Sequence, residues 1–415
     1  MKLVKSLLLG SVAGLAAVAG AQAADLPAKK AAAVEYVRVC STYGAGFFYI
    51  PGTETCLRVG GRARAEALYV EPESRADNSI GFRARGRIQL DARTATAYGL
   101  LRTFVRFEMT RDTGSYGFSS TSANVDQAFV QFGGLTAGRA LSFFDNGDLP
   151  TEHFGTLRFS DAPNVNLFAY TFSFGNGFSA SLSLEEGRYA GNDFDLDTAA
   201  PDFLRAGQRT PDVVAQLAYS GTWGSAMLAG AAHQIRSVAI PVAGVADLVV
   251  PDTEYGFAVT AQIGVNLPML AAGDALWIAA TYADGALGYL GFDPSAQAGT
   301  AVRPVVDAFY DVDGEIDTAQ GWSIAGGLRH YWTPDVRQSV FGSYARIEYG
   351  AAADAYFGGV SPDFNEWRVG TNLIWSPVSG LDIGAEVLYS NLDPRGVDTR
   401  SGDTWEGRIR VQRDF

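Results

Sequence analysis

Between Phe82 and Arg93 the chain reads F-R-A-R-G-R-I-Q-L-D-A-R, apolar or small at even positions and polar at odd ones. Side chains alternate faces along a β-strand. A period of two therefore puts Phe82, Ala84, Gly86, Ile88, Leu90 and Ala92 on one face and Arg83, Arg85, Arg87, Gln89, Asp91 and Arg93 on the other. The pattern recurs in Leu57 to Tyr69, where Arg58, Arg62, Arg64 and Glu66 alternate with Val59, Ala63, Ala65 and Ala67. In Leu101 to Thr110 it sets Arg102, Arg106 and Glu108 against Leu101, Val105, Phe107 and Met109. It ends the chain in Trp405 to Phe415, with Trp405, Ile409 and Val411 opposite Glu406, Arg408, Arg410 and Gln412. Weaker strand-like stretches fall at 123–133, 134–141, 165–174, 178–186, 211–221, 224–235, 253–267, 274–284, 321–332, 336–349, 365–377 and 381–390. Strands with one greasy and one charged face suit a wall between lipid and water, and there are about sixteen of them.

The connections strengthen this reading. Gly133-Gly134, Gly175-Asn176-Gly177, Gly221 to Gly224, Thr333 to Val336 and Ser376 to Gly380 are short turns of hairpin chemistry. They intersperse with longer connections, expected to be polar, at 71–79, 111–122, 142–164, 187–210, 236–252, 285–320, 350–363 and 391–402. A transmembrane barrel sorts its connections by length in this way, and a soluble sandwich has no reason to. Tyr69, Tyr98, Tyr170, Tyr219, Trp277, Tyr282, Tyr331, Trp332, Trp375 and Tyr389 near strand ends fit aromatic girdles at the two interfaces. The expected fold is all-β: a transmembrane antiparallel barrel from residue 56 to 415.

The N-terminus reads as an address. Lys2 and Lys5 precede an apolar run from Leu7 to Gly20, and Ala21-Gln22-Ala23 supplies small residues for cleavage between Ala23 and Ala24. Residues 1–23 are therefore expected to be a signal peptide, and 24–55 a periplasmic segment. No later stretch reaches the roughly 18 apolar residues of a spanning helix. Cys40 and Cys56 are the only cysteines, and they bracket Gly44, Gly46, Pro51 and Gly52. In an oxidising compartment that spacing suits a disulfide; two buried free thiols are the alternative.

The formal net charge of −13 becomes more negative once Lys2 and Lys5 are removed, which argues against nucleic acid as a partner. Every cation beyond Lys30 is arginine, the weakly hydrated choice for a narrow lumen, although coding bias would give the same result. The three histidines, His153, His233 and His330, stand in no hydrolase or zinc-protease motif. Asp193, Asp195 and Asp197, and Asp307 to Asp317, supply oxygen ligands. They lack the order of a calcium loop and read as solvated loops, so neither metal nor cofactor is expected.

Val34 to Leu57, the segment Gly138-Arg139-Ala140-Leu141-Ser142-Phe143-Phe144 and terminal Phe415 resemble the alphaproteobacterial outer-membrane porins of the Brucella and rhizobial type. The resemblance implies a 16-stranded barrel with an inward-folded third loop, a homotrimer, and passive diffusion of small hydrophilic solutes. It is also consistent with a Cys40–Cys56 link. A closing strand that ends on Phe415 resembles the signal read by the barrel-assembly machinery. The implied place is the outer membrane of a Gram-negative bacterium, with lipid and lipopolysaccharide around the barrel and both termini periplasmic. A pore needs a narrow point with a field across it. Asp145, Asp148 and Glu152 are the expected acidic side, and Arg58, Arg62, Arg64, Arg83, Arg85, Arg87, Arg102 and Arg106 the basic wall. The rival readings are a substrate-specific channel, for which Phe143, Phe144 and Phe154 are candidates, and a barrel hydrolase. Net charge argues for cation preference and the arginine wall for anion preference.

Overall fold

The computed structural model describes residues 38–117, 119–190, 205–242, 244–292, 295–311, 313–356, 358–396 and 400–415. The expected leader, its Ala23/Ala24 cleavage point and the Asp193–Asp195–Asp197 cluster lie outside these residues. The alternating segments form β1 (Cys56–Val70), β2 (Ile80–Thr96), β3 (Gly99–Thr113), β4 (Ser120–Phe132), β5 (Leu135–Leu141), β6 (Asn164–Gly175), β7 (Phe178–Glu185) and β8 (Asp212–Gly221). They continue as β9 (Gly224–Ile235), β10 (Glu254–Asn266), β11 (Ala275–Asp284), β12 (Gln320–Thr333), β13 (Val336–Glu348), β14 (Phe364–Val378), β15 (Leu381–Pro394) and β16 (Gly402–Asp414). Each pairs antiparallel with its neighbours in sequence, and β16 pairs back onto β1 from Arg62↔Asp414 to Val70↔Glu406. The result is a closed barrel of 16 strands, whose wall has no open seam.

The faces sort as the period predicts. Phe82, Ile88, Phe107, Leu217, Leu228 and Ile409 are more than half exposed on the outer wall. The arginines of β2 point inward and are largely covered. Exposed apolar residues outside and charged residues within are the reverse of a soluble core, and they match a barrel with lipid around it.

Turns and loops separate onto two rims. The β6–β7 joint is a tight Asn-Gly turn, with Asn176 at φ 52° and Gly177 at φ 85°, a left-handed pair that Asn and Gly tolerate best. The long connections gather on the opposite rim. One of them departs from expectation: 236–252 is rich in Val, Ala, Ile and Leu instead of polar residues. Ile240 and Val249 pair through both backbone hydrogen bonds (2.7 and 2.9 Å), while Val245, Leu248 and Val250 are exposed.

At the short-turn rim, Cys40 and Cys56 form a disulfide. Both are buried with Phe47, with Tyr43 and Tyr49 packed alongside. Phe415 runs one residue past β16 and exchanges backbone hydrogen bonds with Gly61 (2.9 and 3.0 Å). A Cβ on Gly61 would crowd the Arg87 carbonyl oxygen and the Phe415 ring, which favours glycine there.

The barrel interior is asymmetric. The inward residues of β8 to β11 include Val214, Met227, Ala229, Ala231, Ala258 and Ala283. They pack against Leu287, Tyr289, Leu290 and Phe292 of the 285–319 connection. That connection carries two short hairpins, Ser295–Ala298 with Ala301–Pro304 and Ala308–Tyr310 with Ile316–Thr318. Ala279, Ala325, Phe341 and Leu388 form a second apolar cluster with Leu157 and Phe159. Charged residues dominate the inner faces of β1 to β3 and β16.

Candidate functional site

The basic wall is built by register. Antiparallel pairing sets Arg62 opposite Arg87, Arg64 opposite Arg85, and Arg93 opposite Arg102. Most of these cations have carboxylates woven among them. Arg83 binds Asp112 (2.7 Å), and Arg87 binds Glu108 (2.8 Å). Arg102 and Arg93 share Asp91 (2.9 and 2.7 Å), and Arg106 meets Asp126 at 3.1 Å. Arg62 holds Asp414 at 2.5 Å across the barrel seam. Arg85 reaches Glu108 at 3.3 Å, and Arg64 bonds the neutral Gln412 Oε1 at 2.8 Å. Arg58 is exposed and makes no ion pair among the described residues.

Facing this wall is the connection 142–163, which leaves the sheet between β5 and β6. Its contacts reach strands far from its roots. Glu185 of β7 accepts from Ser142 Oγ (2.7 Å) and Phe143 N–H (2.9 Å). Gln216 of β8 donates to the Phe143 carbonyl (2.7 Å), and Gln262 of β10 accepts from Asn146 N–H (3.0 Å). Glu386 of β15, itself buried, accepts from the N–H groups of Phe154 and Gly155, both at 2.6 Å. Arg158 is buried against Glu366 of β14 at 2.9 Å, and Glu366 is shared with Arg368. Arg337 of β13 clamps Glu152 (2.6 Å) and Asp382 (2.9 Å).

Of the three expected acids, only Asp148 is exposed. Glu152 is half-buried and already paired with Arg337. Asp145 is buried beneath the segment, accepts from Ser160 Oγ (2.9 Å) and lies 3.5 Å from Arg188. Burial pushes its carboxyl up to about 6, against the pull of Arg188 and its hydrogen bonds. Two open spaces remain between the segment and the wall. One, of about 530 Å³, lies between Arg58, Arg102 and Arg106 and the stretch Phe143 to Asp148. The other, of about 290 Å³, lies between Arg62, Arg64 and Arg410 and the stretch Thr151 to Phe154. The Arg410 guanidinium sits 3.9 Å above the Phe154 ring.

The anchors Glu185, Glu366, Glu386, Arg158 and Arg337 were not among the expected site residues. A signal existed, because Glu366 and Arg368 alternate with Trp367 and Val369 and so share the inward face. Each histidine sits beside a carboxylate: His233 with Asp212 (2.8 Å), His330 with Asp274 (2.6 Å) and His153 with Asp161 (3.6 Å). Among the described residues none of the three imidazoles hydrogen-bonds a Ser, Thr or Cys side chain, the pairing of a hydrolase with a side-chain nucleophile.

A family model described as the porin subfamily matches residues 25–408. The chain belongs to the porin family. Porin Omp2b of Brucella suis biovar 1 (strain 1330) is 31% identical over 428 residues, covering 99% of this chain and 99% of the relative. Porin Omp2b of Brucella abortus (strain 2308) matches to the same extent. Among solved structures, the outer membrane channel DcaP of Acinetobacter baumannii superposes with a TM-score of 0.64 at 17% identity, covering 88% of this chain and 99% of that one. The trimer form of in-vitro folded OmpT from Vibrio cholerae gives 0.51 at 13% identity over 88% and 100% of the two chains. At such identities these structures speak to the fold alone. The porin reading places the barrel in a Gram-negative outer membrane as a channel. Its lumenal charges then line a water path, where fixed charge filters solutes.

Proposed function

We propose that this porin is a general diffusion channel for small hydrophilic solutes. Its connection 142–163 would cross the lumen and confine the water path to the side of β1 to β4 and β16. The observation that carries this is the set of contacts from one segment to inward side chains of β7, β8, β10, β13, β14 and β15, with two open spaces between that segment and the arginine wall. The apolar filling of the opposite half supports the same reading.

The field along that path favours anions. Arg58, Arg93, Arg102 and Arg106 face Asp91 and Asp148 in the larger space. Arg62, Arg64, Arg337 and Arg410 face Glu152 and Asp382 in the smaller one. Asp145 also borders the larger space, with its carboxylate held by Ser160 Oγ and near Arg188. The reading includes residues 1–23 as a leader cut between Ala23 and Ala24, and both barrel ends on the periplasmic side. It also includes Phe415 as an assembly signal and a homotrimer, which the OmpT trimer form makes a natural expectation.

Planar-bilayer recording tests the proposal. Stepwise insertion of ohmic channels, with a reversal potential of the sign set by chloride under a KCl gradient, is expected. A folded barrel that conducts nothing would overturn the pore, and a potassium-signed potential would overturn the field.

A further inference from the structure

Three inward arginine pairs are forced face to face by register. At Arg62↔Arg87 each member has its own carboxylate, Asp414 and Glu108, and the other two pairs are treated differently from each other. Like charges directly opposite across an antiparallel pair are destabilising. At Arg93↔Arg102 the chain supplies its own bridge, because Asp91 binds both guanidinium groups. At Arg64↔Arg85 no carboxylate among the described residues bridges the pair. Arg85 shares Glu108 with Arg87, and its Nε lies 3.3 Å from that carboxylate without the alignment of a hydrogen bond. Among the described residues Arg64 bonds one amide oxygen, that of Gln412. The nearby acids are engaged elsewhere: Glu66 by Arg410, Asp414 by Arg62, and Glu152 and Asp382 by Arg337. The wall face of the 290 Å³ space thus presents Arg64 between Arg62 and Arg410 with cationic charge left over.

We infer that this space is a saturable binding site for an oxyanion group of a permeating solute, with Arg64 as its centre and Arg62 and Arg410 as flanking cations. The solute carboxylate or phosphate would take the place that Asp91 fills at Arg93↔Arg102. A planar guanidinium offers paired N–H donors that match oxyanion geometry, so the site discriminates oxyanions from chloride by shape as well as charge. The inference rests on the pore reading, because only a solute moving between 142–163 and the wall reaches Arg64.

The test is conductance of the full-length wild-type channel in KCl titrated with inorganic phosphate, and separately with acetate. Phosphate is expected to reduce the chloride current along a saturating curve. Saturation by phosphate alone assigns the site to phosphorylated solutes, and saturation by both assigns it to oxyanions generally. Arg64→Gln is expected to raise the half-saturating concentration about tenfold or more, the size of one lost charge-assisted contact. Gln412→Glu adds a carboxylate beside Arg64 and is expected to do the same while leaving the guanidinium in place. Ohmic channels whose current ignores both anions would overturn the site and leave the pore standing. An absence of channels in the wild type would overturn the pore reading and the site together. If Gln412→Glu folds and conducts but keeps the wild-type saturation, Arg64 is not the centre.

Discussion

Glu386 is the residue through which the closure of the path can be tested most directly. Its buried carboxylate receives the N–H groups of Phe154 and Gly155 at 2.6 Å each, and Asn372 Nδ2 at 3.3 Å. Hydrogen bonds to a charged acceptor contribute about 1.5–3 kcal/mol each, and a buried donor left unpaired costs about 1–3 kcal/mol. Glu386→Gln keeps one acceptor oxygen and turns an amide NH₂ toward the other donor. The net loss is about 3 kcal/mol, one charge-assisted bond exchanged for a donor–donor clash.

The neighbouring anchors are unaffected, since Arg158 keeps Glu366 and Glu152 keeps Arg337. The change therefore loosens Phe154 and Gly155 locally. A loss of about 3 kcal/mol raises the population of the detached turn on the order of a hundredfold. Phe154 carries the ring beneath Arg410, so its departure widens the smaller of the two spaces. Liposome swelling with a series of sugars should show faster entry of the larger members. Single-channel records should gain fast current noise. A variant that folds to a heat-resistant barrel with an unchanged sugar cut-off and wild-type noise would refute the idea that this anchor holds the gap.

Two further outcomes are expected. Leu228→Arg places a cation on an outer position that is 60% exposed. It should reduce folding stability in lipid vesicles by about 2–4 kcal/mol if Leu228 lies near mid-membrane, and a cost near zero in urea titrations would mean that this face does not meet lipid. In the 267–274 turn, burial pushes the Asp274 carboxyl up. The His330 hydrogen bond, the Tyr331 N–H and the adjacent positive charges outweigh it and hold the group below its ordinary 3.8. A lowered carboxyl stabilises the fold above its unfolded pKa and loses that contribution as pH falls from 3.8 through the lowered value. Wild type should therefore weaken with acid across that window more steeply than Asp274→Asn, and parallel curves in acid-unfolding titrations would contradict the assignment.

The barrel was legible in the sequence because the period of two is a local signal that no distant contact has to complete. It was clearest in β1 to β3, where arginine alternates with apolar residues, and faint in β8 to β11. The structure supplies the reason. Inward Val214, Met227, Ala229, Ala231 and Ala258 are apolar because they pack against Leu287 to Phe292 instead of water, so both faces of those strands read as greasy. The same long-range packing hid the anchors. Glu386 lies 231 residues from the Gly155 N–H it accepts, and nothing near either one announces the other. Asp145, Asp148 and Glu152 look alike as three acids in one loop. Whether each faces water, Arg188 or Arg337 is decided by strands that the loop reaches only in three dimensions. The 236–252 connection departs from the polar character expected of the long connections as a set, and its own Val, Ala, Ile and Leu content carries that departure.

That distinction between local and distant charge also resolves the conflict over selectivity. A net charge of −13 describes the whole chain, and much of it resides in loops, as at Asp311, Asp313, Glu315 and Asp317. At about 0.15 M salt the Debye length is about 8 Å, so charges on the loop rim are largely screened from an ion within the barrel. An ion in the smaller space meets Arg62, Arg64 and Arg410 directly, with low-dielectric walls behind them that weaken screening. The loops would instead set the concentration of ions arriving at the mouth. The two fields thus act in series, and they separate with ionic strength. Raising salt should strip the influence of the loops first, so the anion preference of a single channel is expected to hold or grow between dilute and physiological KCl. A preference that reversed to cations as salt rose would mean that the arginine wall is neutralised where it faces the path.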